Sequence, residues 1–115
     1  MAELFHITER AAWLEAVRAG EYRMSTRGIT LDEQGYIHCS LRHQLAAVAE
    51  TVYGDADDLV VLVIDSGRVP HPVRYEAPEL GTEEYPHIYG ALPTVAVIEV
   101  LTVSRDDAGR LVLPQ

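Results

Sequence analysis

The hydrophobic positions of this chain alternate over short stretches, which is typical of β-strands. At 2–7 (AELFHI), Leu4 and His6 share one face of a predicted first strand, and the residues between them share the other. The run 58–65 (DLVVLVID) is continuously apolar, as in a central strand covered on both faces. Further strands are predicted at 35–40, 73–76 and 94–103, followed by a closing hairpin with its turn at 107–109.

A first helix is predicted directly after the first strand. Trp13, Ala16 and Val17 lie at three- and four-residue spacing and form an apolar stripe. Thr8 occupies the expected N-cap position, and Gly20 supplies the expected stop. The helix therefore spans about three turns.

A second helix is predicted over 41–54, with Ser40 as its cap and Gly54 at its end. Its apolar positions again recur every three or four residues, at Leu41, Leu45, Val48 and Val52. Residues 21–34 show neither period clearly and are predicted as a loop with a short strand. Residues 77–84 (APELGTEE) are predicted as an acidic loop.

The predicted order βαβαβββ indicates an α+β domain formed by residues 1–115. Both helices fall in the N-terminal half, whereas a doubly wound sheet would require helices after the later strands as well. We expect two small, mostly antiparallel sheets that form a cleft. No repeat, low-complexity segment or linker divides the chain, and the pattern does not specify an oligomeric state.

Charge and composition narrow the function classes. Eighteen acidic residues against nine basic ones give a net charge of −9, which opposes binding to a nucleic acid backbone. All nine basic residues are arginine, so a lysine nucleophile or Schiff base is excluded. No apolar run approaches the roughly 20 residues of a membrane span. With no signal peptide pattern and a single cysteine, Cys39, we expect a cytoplasmic protein.

Two segments combine strand alternation with chemically active side chains. In GYIHCS (35–40), Tyr36, His38 and Ser40 share one face. In YPHIY (85–89), His87 shares a face with the tyrosines on either side of it, Tyr85 and Tyr89. Valine or isoleucine would pack with less difficulty at such positions, so these faces are candidates for a functional site.

His6 on the first strand adds a third histidine on a third strand. A lone strand histidine is commonly structural, with a ring N–H on a backbone carbonyl, but three together favour convergence on one pocket. Three imidazoles and a water also suit zinc, although no H-x-x-x-H or C-x-x-C spacing supports a metal site. The tyrosines either pack in the core or form a wall on which a planar ring stacks.

The remaining polar residues have simpler interpretations. A triad built on Ser40 lacks the G-x-S-x-G elbow, and the role of helix cap explains this serine better. His43 and His71 are expected to be solvated, and Cys39 is expected to be buried and inert. Neither G-x-G-x-x-G nor G-x-x-x-x-G-K-[ST] occurs, which excludes the usual Rossmann and P-loop nucleotide sites.

The segments LFHIT, GYIHCS and YPHIYGALP resemble, in order and spacing, a bacterial family known as domain of unknown function 952. The likeness covers residues 3 to about 103. The family has no settled activity, so this resemblance implies a fold and a set of shared motifs without implying a reaction.

The chain is also distantly similar to ADP-ribosyltransferases of the poly(ADP-ribose) polymerase type. HIT (6–8) is similar to their H-G-[ST] strand, GYIHCS to their G-[IL]-Y-F-A strand, and PHIYGALPTVAVIEVL to the segment that carries their catalytic glutamate. The resemblance implies that His6 and Thr8 bind NAD and that GYIHCS lines the nicotinamide slot. The glutamate position falls at about His87, and a neutral imidazole cannot supply the negative charge of a carboxylate.

Together these features lead to one hypothesis and its alternatives. The resemblance implies a pocket that binds a small molecule, with NAD as a candidate substrate. In it His38 and His87 perform acid/base chemistry, because imidazole titrates near neutral pH. The ligand-binding residues would be His6, Thr8, Tyr36, Ser40 and Tyr89. The alternatives are a domain that binds a ligand without catalysis, and an interaction domain that uses its acidic surface.

Overall fold

The computed structural model describes residues 2–77 and 82–114. Over these residues the helices are α1 (Arg10–Ala19), α2 (Leu31–Gln34) and α3 (Leu45–Tyr53), with 3-10 turns at Arg42–Gln44, Ser66–Arg68 and Thr94–Ala96. The strands are β1 (Glu3–Glu9), β2 (Glu21–Tyr22), β3 (Met24–Thr26), β4 (Ile29–Thr30), β5 (Ile37–His38), β6 (Leu59–Asp65), β7 (Val73–Glu76), β8 (Tyr85–Ile88), β9 (Leu92–Pro93), β10 (Val97–Thr102), β11 (Ser104–Arg105) and β12 (Leu111–Val112). The architecture is α+β, as predicted, with small antiparallel sheets.

The central sheet has three strands in the order β1-β6-β10, and both pairings are antiparallel. β6 lies in the middle because its unbroken apolar run can be covered on both faces. The predicted strand 94–103 is shorter than expected, since residues 94–96 form a 3-10 turn after Pro93. Among the described residues, no helix is long and apolar enough to cross a bilayer.

Strand alternation divides the core between the two faces of this sheet. On one face, Leu4 and Leu62 pack with α1 and the inward side chains of the smaller sheets. On the other face, Phe5 and Val61 pack with α3. The residues that the sequence placed together on a strand face therefore enter the same cluster.

Helix α1 begins two residues after the predicted cap. Thr8 is not the N-cap, because β1 continues through it opposite Val60 and its hydroxyl is taken up by a buried partner. Glu9 holds the N-cap position. Gly20 ends the helix as predicted: its φ of 88° is the left-handed conformation, and its N–H donates to the Ala16 carbonyl at 2.8 Å.

The segment 21–34 is more ordered than the loop predicted for it. It contains β2, β3 and β4, and it ends in the one-turn helix α2. Thr30 and Glu33 form a capping box at the start of α2, with the Thr30 hydroxyl accepting the Glu33 N–H. Two- and three-residue strands are too short to show a period, which is why the sequence pattern missed them.

The second predicted helix is divided in two. Ser40 is not its cap: its backbone pairs with Phe5, with N–H to carbonyl distances of 2.7 and 2.8 Å. A 3-10 turn follows, and α3 begins only at Leu45. Gln44 holds this junction, because its amide accepts the Leu41 N–H at 2.8 Å and donates to the Glu84 carbonyl at 2.7 Å.

The second three-stranded sheet has the order β5-β8-β7, and it positions the candidate site. Ile37 lies opposite Ile88, and both side chains enter the core. One residue along, His38 lies opposite His87. Side chains of directly opposed residues share a face, so the two imidazoles meet on the side of the sheet away from this core.

The chain closes with the predicted hairpin of β11 and β12. Asp106 organises its turn by accepting the N–H groups of Ala108 and Arg110, each at 2.9 Å. Arg105 joins the hairpin to the end of α3 by donating to the carbonyls of Gly54 and Ala56. Part of the predicted acidic loop at 77–84 lies outside the described residues.

Candidate functional site

The polar face of the second sheet brings together four of the predicted site residues, Tyr36, His38, His87 and Tyr89. The register of β7 adds a fifth group, Glu76, which lies opposite Tyr85 on the same face. The alternation read from GYIHCS and YPHIY thus places these side chains on a common surface, as expected.

A chain of hydrogen bonds links a carboxylate to both imidazoles. Glu76 Oε1 lies 2.9 Å from His87 Nδ1, and His87 Nε2 lies 3.3 Å from His38 Nδ1. Tyr89 donates its hydroxyl to the same Glu76 oxygen. Because an ionised carboxylate can only accept, His87 carries a proton on Nδ1, and in its neutral form its Nε2 accepts from His38 Nδ1–H. This arrangement leaves His38 Nε2 with a free lone pair.

Aromatic contacts fix the orientation of the chain of imidazoles. The Tyr36 ring stacks on His87 with centroids 4.0 Å apart and an interplanar angle of 15°. Tyr89 also contacts the Tyr36 ring, at 5.4 Å, and Tyr85 contacts His38 at 5.1 Å. Stacked rings in this range attract one another and restrict rotation. These contacts therefore hold the imidazoles in place.

Burial and neighbouring groups shift the ionisation of the site. Burial, with a further contribution from the nearby His87, lowers the pKa of His38 to about 4. Hydrogen bonds from Tyr89 and His87 hold the pKa of Glu76 below its ordinary value. At neutral pH the site therefore contains an ionised carboxylate and a neutral, accepting imidazole.

His6 and Thr8 belong to a different cluster, in the core beneath the sheet. The Tyr22 hydroxyl lies 2.7 Å from His6 Nε2 and 2.8 Å from Thr8 Oγ1. His6 Nδ1 lies 2.7 Å from the backbone carbonyl of His38, to which it donates. Burial lowers the pKa of His6 to about 4, so this imidazole is also neutral.

The three histidines therefore do not converge. His38 and His87 meet through their rings, whereas His6 reaches only the main chain of His38. Within residues 2–77 and 82–114, no three His, Cys, Asp or Glu side chains are placed to hold a metal ion. This geometry does not support the three-histidine metal site. Ser40, two residues after His38, is buried and lies in the backbone bridge to Phe5.

A cavity of about 230 Å³ opens beside His38. Its wall comes from β3, the end of α2, β5 and α3, and is formed by Ser25, Thr26, Gln34, Tyr36, His38 and Val52. Because α2 and α3 also contribute to its wall, this cavity differs from the expected cleft between two sheets. A larger cavity, of about 450 Å³, lies between α1 and β2–β4 and contacts neither imidazole of the pair. We place the candidate site at the smaller cavity, because chemically competent groups lie there.

Two important residues were missed at the sequence level. Glu76 was read only as part of the strand 73–76, and Tyr22 only as part of a loop. The alternation of VRYE does place Arg74 and Glu76 on one face, but the register that brings Glu76 to His87 depends on β7 pairing with β8. For Tyr22, no sequence signal pointed to His6.

The other candidates have structural roles. Cys39 is fully buried, and burial raises the pKa of its thiol, which is consistent with an inert residue. His43 lies at the surface with Nε2 2.5 Å from Glu83 Oε1. His71 packs its ring over Gly90, where a Cβ would lie only 2.3 Å from the imidazole. Gly90 is therefore required for this close approach.

The fold is similar to known structures. The crystal structure of protein CC0527 from Caulobacter crescentus has a TM-score of 0.82 and 23% identity, covering 96% of this chain and 94% of that one. A crystal structure of a double mutant of CC0527 gives the same values. The solution NMR structure of CC0527 has a TM-score of 0.75 and 26% identity over 96% and 91% of the two chains. These structures show the fold, and the expected relation to ADP-ribosyltransferases stays a prediction.

Sequence comparison gives the family. No curated protein matches the chain. The profile described as "Protein of unknown function (DUF952)" matches residues 7–100, which include both GYIHCS and YPHIYG. The chain therefore belongs to the DUF952 family of proteins of unknown function.

Proposed function

We propose that the protein binds a small molecule at the cavity beside His38 and moves a proton to or from it through His38 and His87. The observation that carries this proposal is the hydrogen-bonded chain from Glu76 through His87 to His38. In this chain a carboxylate orients one imidazole, which in turn contacts a second group that can exchange a proton. General acid/base catalysis uses such an arrangement.

The proton step follows from the tautomers. His38 Nε2 accepts a proton from the ligand, and the proton on His38 Nδ1 passes to His87 Nε2 across 3.3 Å. His38 is then neutral again, with its proton on the opposite nitrogen. The positive charge resides on the His87 imidazolium, directly against the Glu76 carboxylate. The reverse sequence returns the proton to the product.

The relay explains how His38 can act although its pKa is about 4. An isolated imidazole with such a pKa is a weak base at neutral pH. Transfer of the charge to His87 places it 2.9 Å from the Glu76 carboxylate instead of leaving it on His38. Glu76 thus supplies a negative charge behind His87, the residue at which the resemblance puts the glutamate of the transferases.

The ligand that the resemblance implies is a nucleotide such as NAD, used as a substrate. In this proposal Tyr36 and Tyr89 offer aromatic surface to a planar ring. His6 and Thr8 are each 3% exposed and already hydrogen-bonded to Tyr22, which favours a positioning role through the His38 carbonyl. Direct contact of these two residues and of Ser40 with a ligand stays a prediction.

NMR titration of the histidine rings tests the proposal. In the free protein, ¹⁵N shifts should show His87 protonated on Nδ1 and unprotonated on Nε2. NAD, ADP-ribose and nicotinamide are then added in turn, and saturable shifts of His38 and His87 are expected with at least one of them. Unmoved ring signals with all three would contradict a nucleotide pocket.

A matched pair of variants tests the relay. Glu76→Gln removes the charge behind His87 with little change of shape, and it should alter the His87 ring shifts. Glu83→Gln makes the same change at the surface pair with His43 and should leave His87 unaffected. Once a reaction is identified, His87→Gln distinguishes an enzyme from a domain that binds a ligand without catalysis. Binding with lost turnover indicates catalysis, and unchanged turnover removes the role of His87.

A further inference from the structure

The cavity beside His38 contains a buried hydroxyl without a partner. Ser25 lies on β3 and is fully buried, and its Oγ has no hydrogen-bond partner among the described residues. A buried hydroxyl without a partner is unfavourable, because it has lost its hydrogen bonds to water and gained none in the protein. Native structures pair the large majority of such groups, so each exception requires an explanation. Ser25 also lines the cavity that contains the His38 imidazole.

The rest of the cavity wall is uncharged and combines polar with apolar side chains. Its other groups are the side chains of Thr26, Gln34, Tyr36 and Val52. The Gln34 amide donates to the Tyr36 hydroxyl at 2.8 Å, so its carbonyl oxygen remains as an acceptor. His38 itself is neutral near pH 7, because burial holds its pKa near 4. No group of the wall can neutralise a charged ligand, so a charged group that enters the cavity gives up part of its hydration without gaining an ion partner, which is unfavourable.

The neighbouring arginine does not change this picture. Arg27 follows Thr26 in the chain, but its guanidinium donates to the Val52 carbonyl at 2.9 Å and to Asp55 at 2.6 Å. Its charge is thus compensated outside the cavity wall. At about 230 Å³ the cavity is also smaller than the roughly 300–1,000 Å³ of typical ligand sites, so it accommodates one functional group of a larger molecule.

We infer that this cavity is the substrate chamber of the proposed proton relay and that it selects an uncharged hydrogen-bonding group, such as a carboxamide, with Ser25 as a binding residue. The inference rests on the proposed function and specifies its substrate class. An amide can meet the Ser25 hydroxyl with its oxygen and present an N–H to His38 Nε2. Phosphate, carboxylate or ammonium groups of the same substrate then lie outside the chamber.

A series of isosteric probes tests the charge selection. Isobutyramide, isobutyrate and isobutyramidinium share a shape and differ in charge, and their dissociation constants are measured from the Ser25 amide and Val52 methyl signals by NMR. The amide should bind about tenfold more tightly than either ion. Equal or tighter binding of an ion at these signals, or no shift with any of the three, would overturn the inference.

A serine variant tests the role of the hydroxyl. Ser25→Ala should raise the dissociation constant of isobutyramide about tenfold, while the urea midpoint of the free protein stays the same or increases. The exposed Ser104→Ala serves as the matched control and should change neither quantity. An unchanged dissociation constant in Ser25→Ala would remove Ser25 from the site.

These results are separable from the test of the proposed function. The NMR signals of Ser25 and Val52 report binding in the chamber, whereas the NMR signals of the His87 ring in Glu76→Gln report the relay. If one of the ions binds most tightly, only the proposed substrate class is contradicted, and the conclusion about the relay is unaffected. A His87 ring that does not respond to Glu76→Gln rejects the relay, even when the amide binds best.

Discussion

The hydroxyl of Tyr22 connects the core to the candidate site, and its removal should destabilise the protein strongly. Tyr22 is 1% exposed, and its ring meets His6 edge-on with centroids 5.0 Å apart. Tyr22→Phe keeps this ring and its packing. It removes only the oxygen that lies 2.7 Å from His6 Nε2 and 2.8 Å from Thr8 Oγ1.

The magnitude follows from these contacts. Each lost hydrogen bond costs about 0.5–1.5 kcal/mol, and a buried acceptor left unpaired costs about 1–3 kcal/mol. Burial prevents water from replacing the hydroxyl at His6 Nε2, so we expect a loss of roughly 2–4 kcal/mol in the free energy of unfolding. Thr8 has a rotatable hydroxyl and contributes the smaller part.

Urea unfolding followed by tryptophan fluorescence measures this loss. For a chain of this size, with m of about 2 kcal/mol/M, the midpoint should fall by roughly 1–2 M. Tyr75→Phe is the matched control, because Tyr75 is 44% exposed, and its change should remain within about 0.5 kcal/mol. If Tyr22→Phe were no more destabilising than Tyr75→Phe, the buried network would not stabilise the fold as argued.

Three further predictions concern stability and reactivity. Burial lowers the pKa of His6 to about 4 from 6.5, so between these values the unfolded chain binds more protons. The free energy of unfolding should therefore fall as the pH drops from 6.5 to 4, with His6 contributing up to about 3 kcal/mol. A urea midpoint that stays constant over this pH range would contradict the prediction. Arg105→Ala should cost about 2 kcal/mol, since three backbone carbonyls lose their donor; the exposed Arg110→Ala should cost under about 0.5 kcal/mol in the same assay. The Cys39 thiol should react with a thiol reagent at pH 8 only in denaturant, and fast reaction of the native protein would show that it is accessible.

Local patterns predicted much of the fold because they record which side of an element is buried. The apolar run at 58–65 became β6, and the stripe of Trp13, Ala16 and Val17 became α1, although Val17 is 52% exposed. Caps were less predictable than stripes. Thr8 and Ser40 have the right side chains for N-caps, but both were drawn into pairings with distant strands, at Val60 and Phe5. A backbone pairing of this kind overrides a local preference worth about 1 kcal/mol.

The candidate site was predicted in part for the same reason. Strand alternation alone placed Tyr36 with His38 and His87 with Tyr89, since side chains two residues apart must share a face. The presence of a histidine on each of three predicted strands also grouped His6 with these residues, because a sequence does not show which of two sheets a strand enters. In the structure the His6 ring lies in the core, where it contacts the backbone carbonyl of His38 and not the His38 ring.

From the sequence alone we could predict the faces of the strands and the positions of the main helices, and its composition is acidic and free of lysine. Which strands are neighbours, and in which register, depends on how the folded chain packs. His38 meets His87 across 49 residues, and Glu76 reaches the pair through β7, whereas Tyr22 reaches His6 from a two-residue strand. Alternation is a local property of the chain, but register depends on the packing of the whole core, and a shift by one residue would turn these groups to the opposite face.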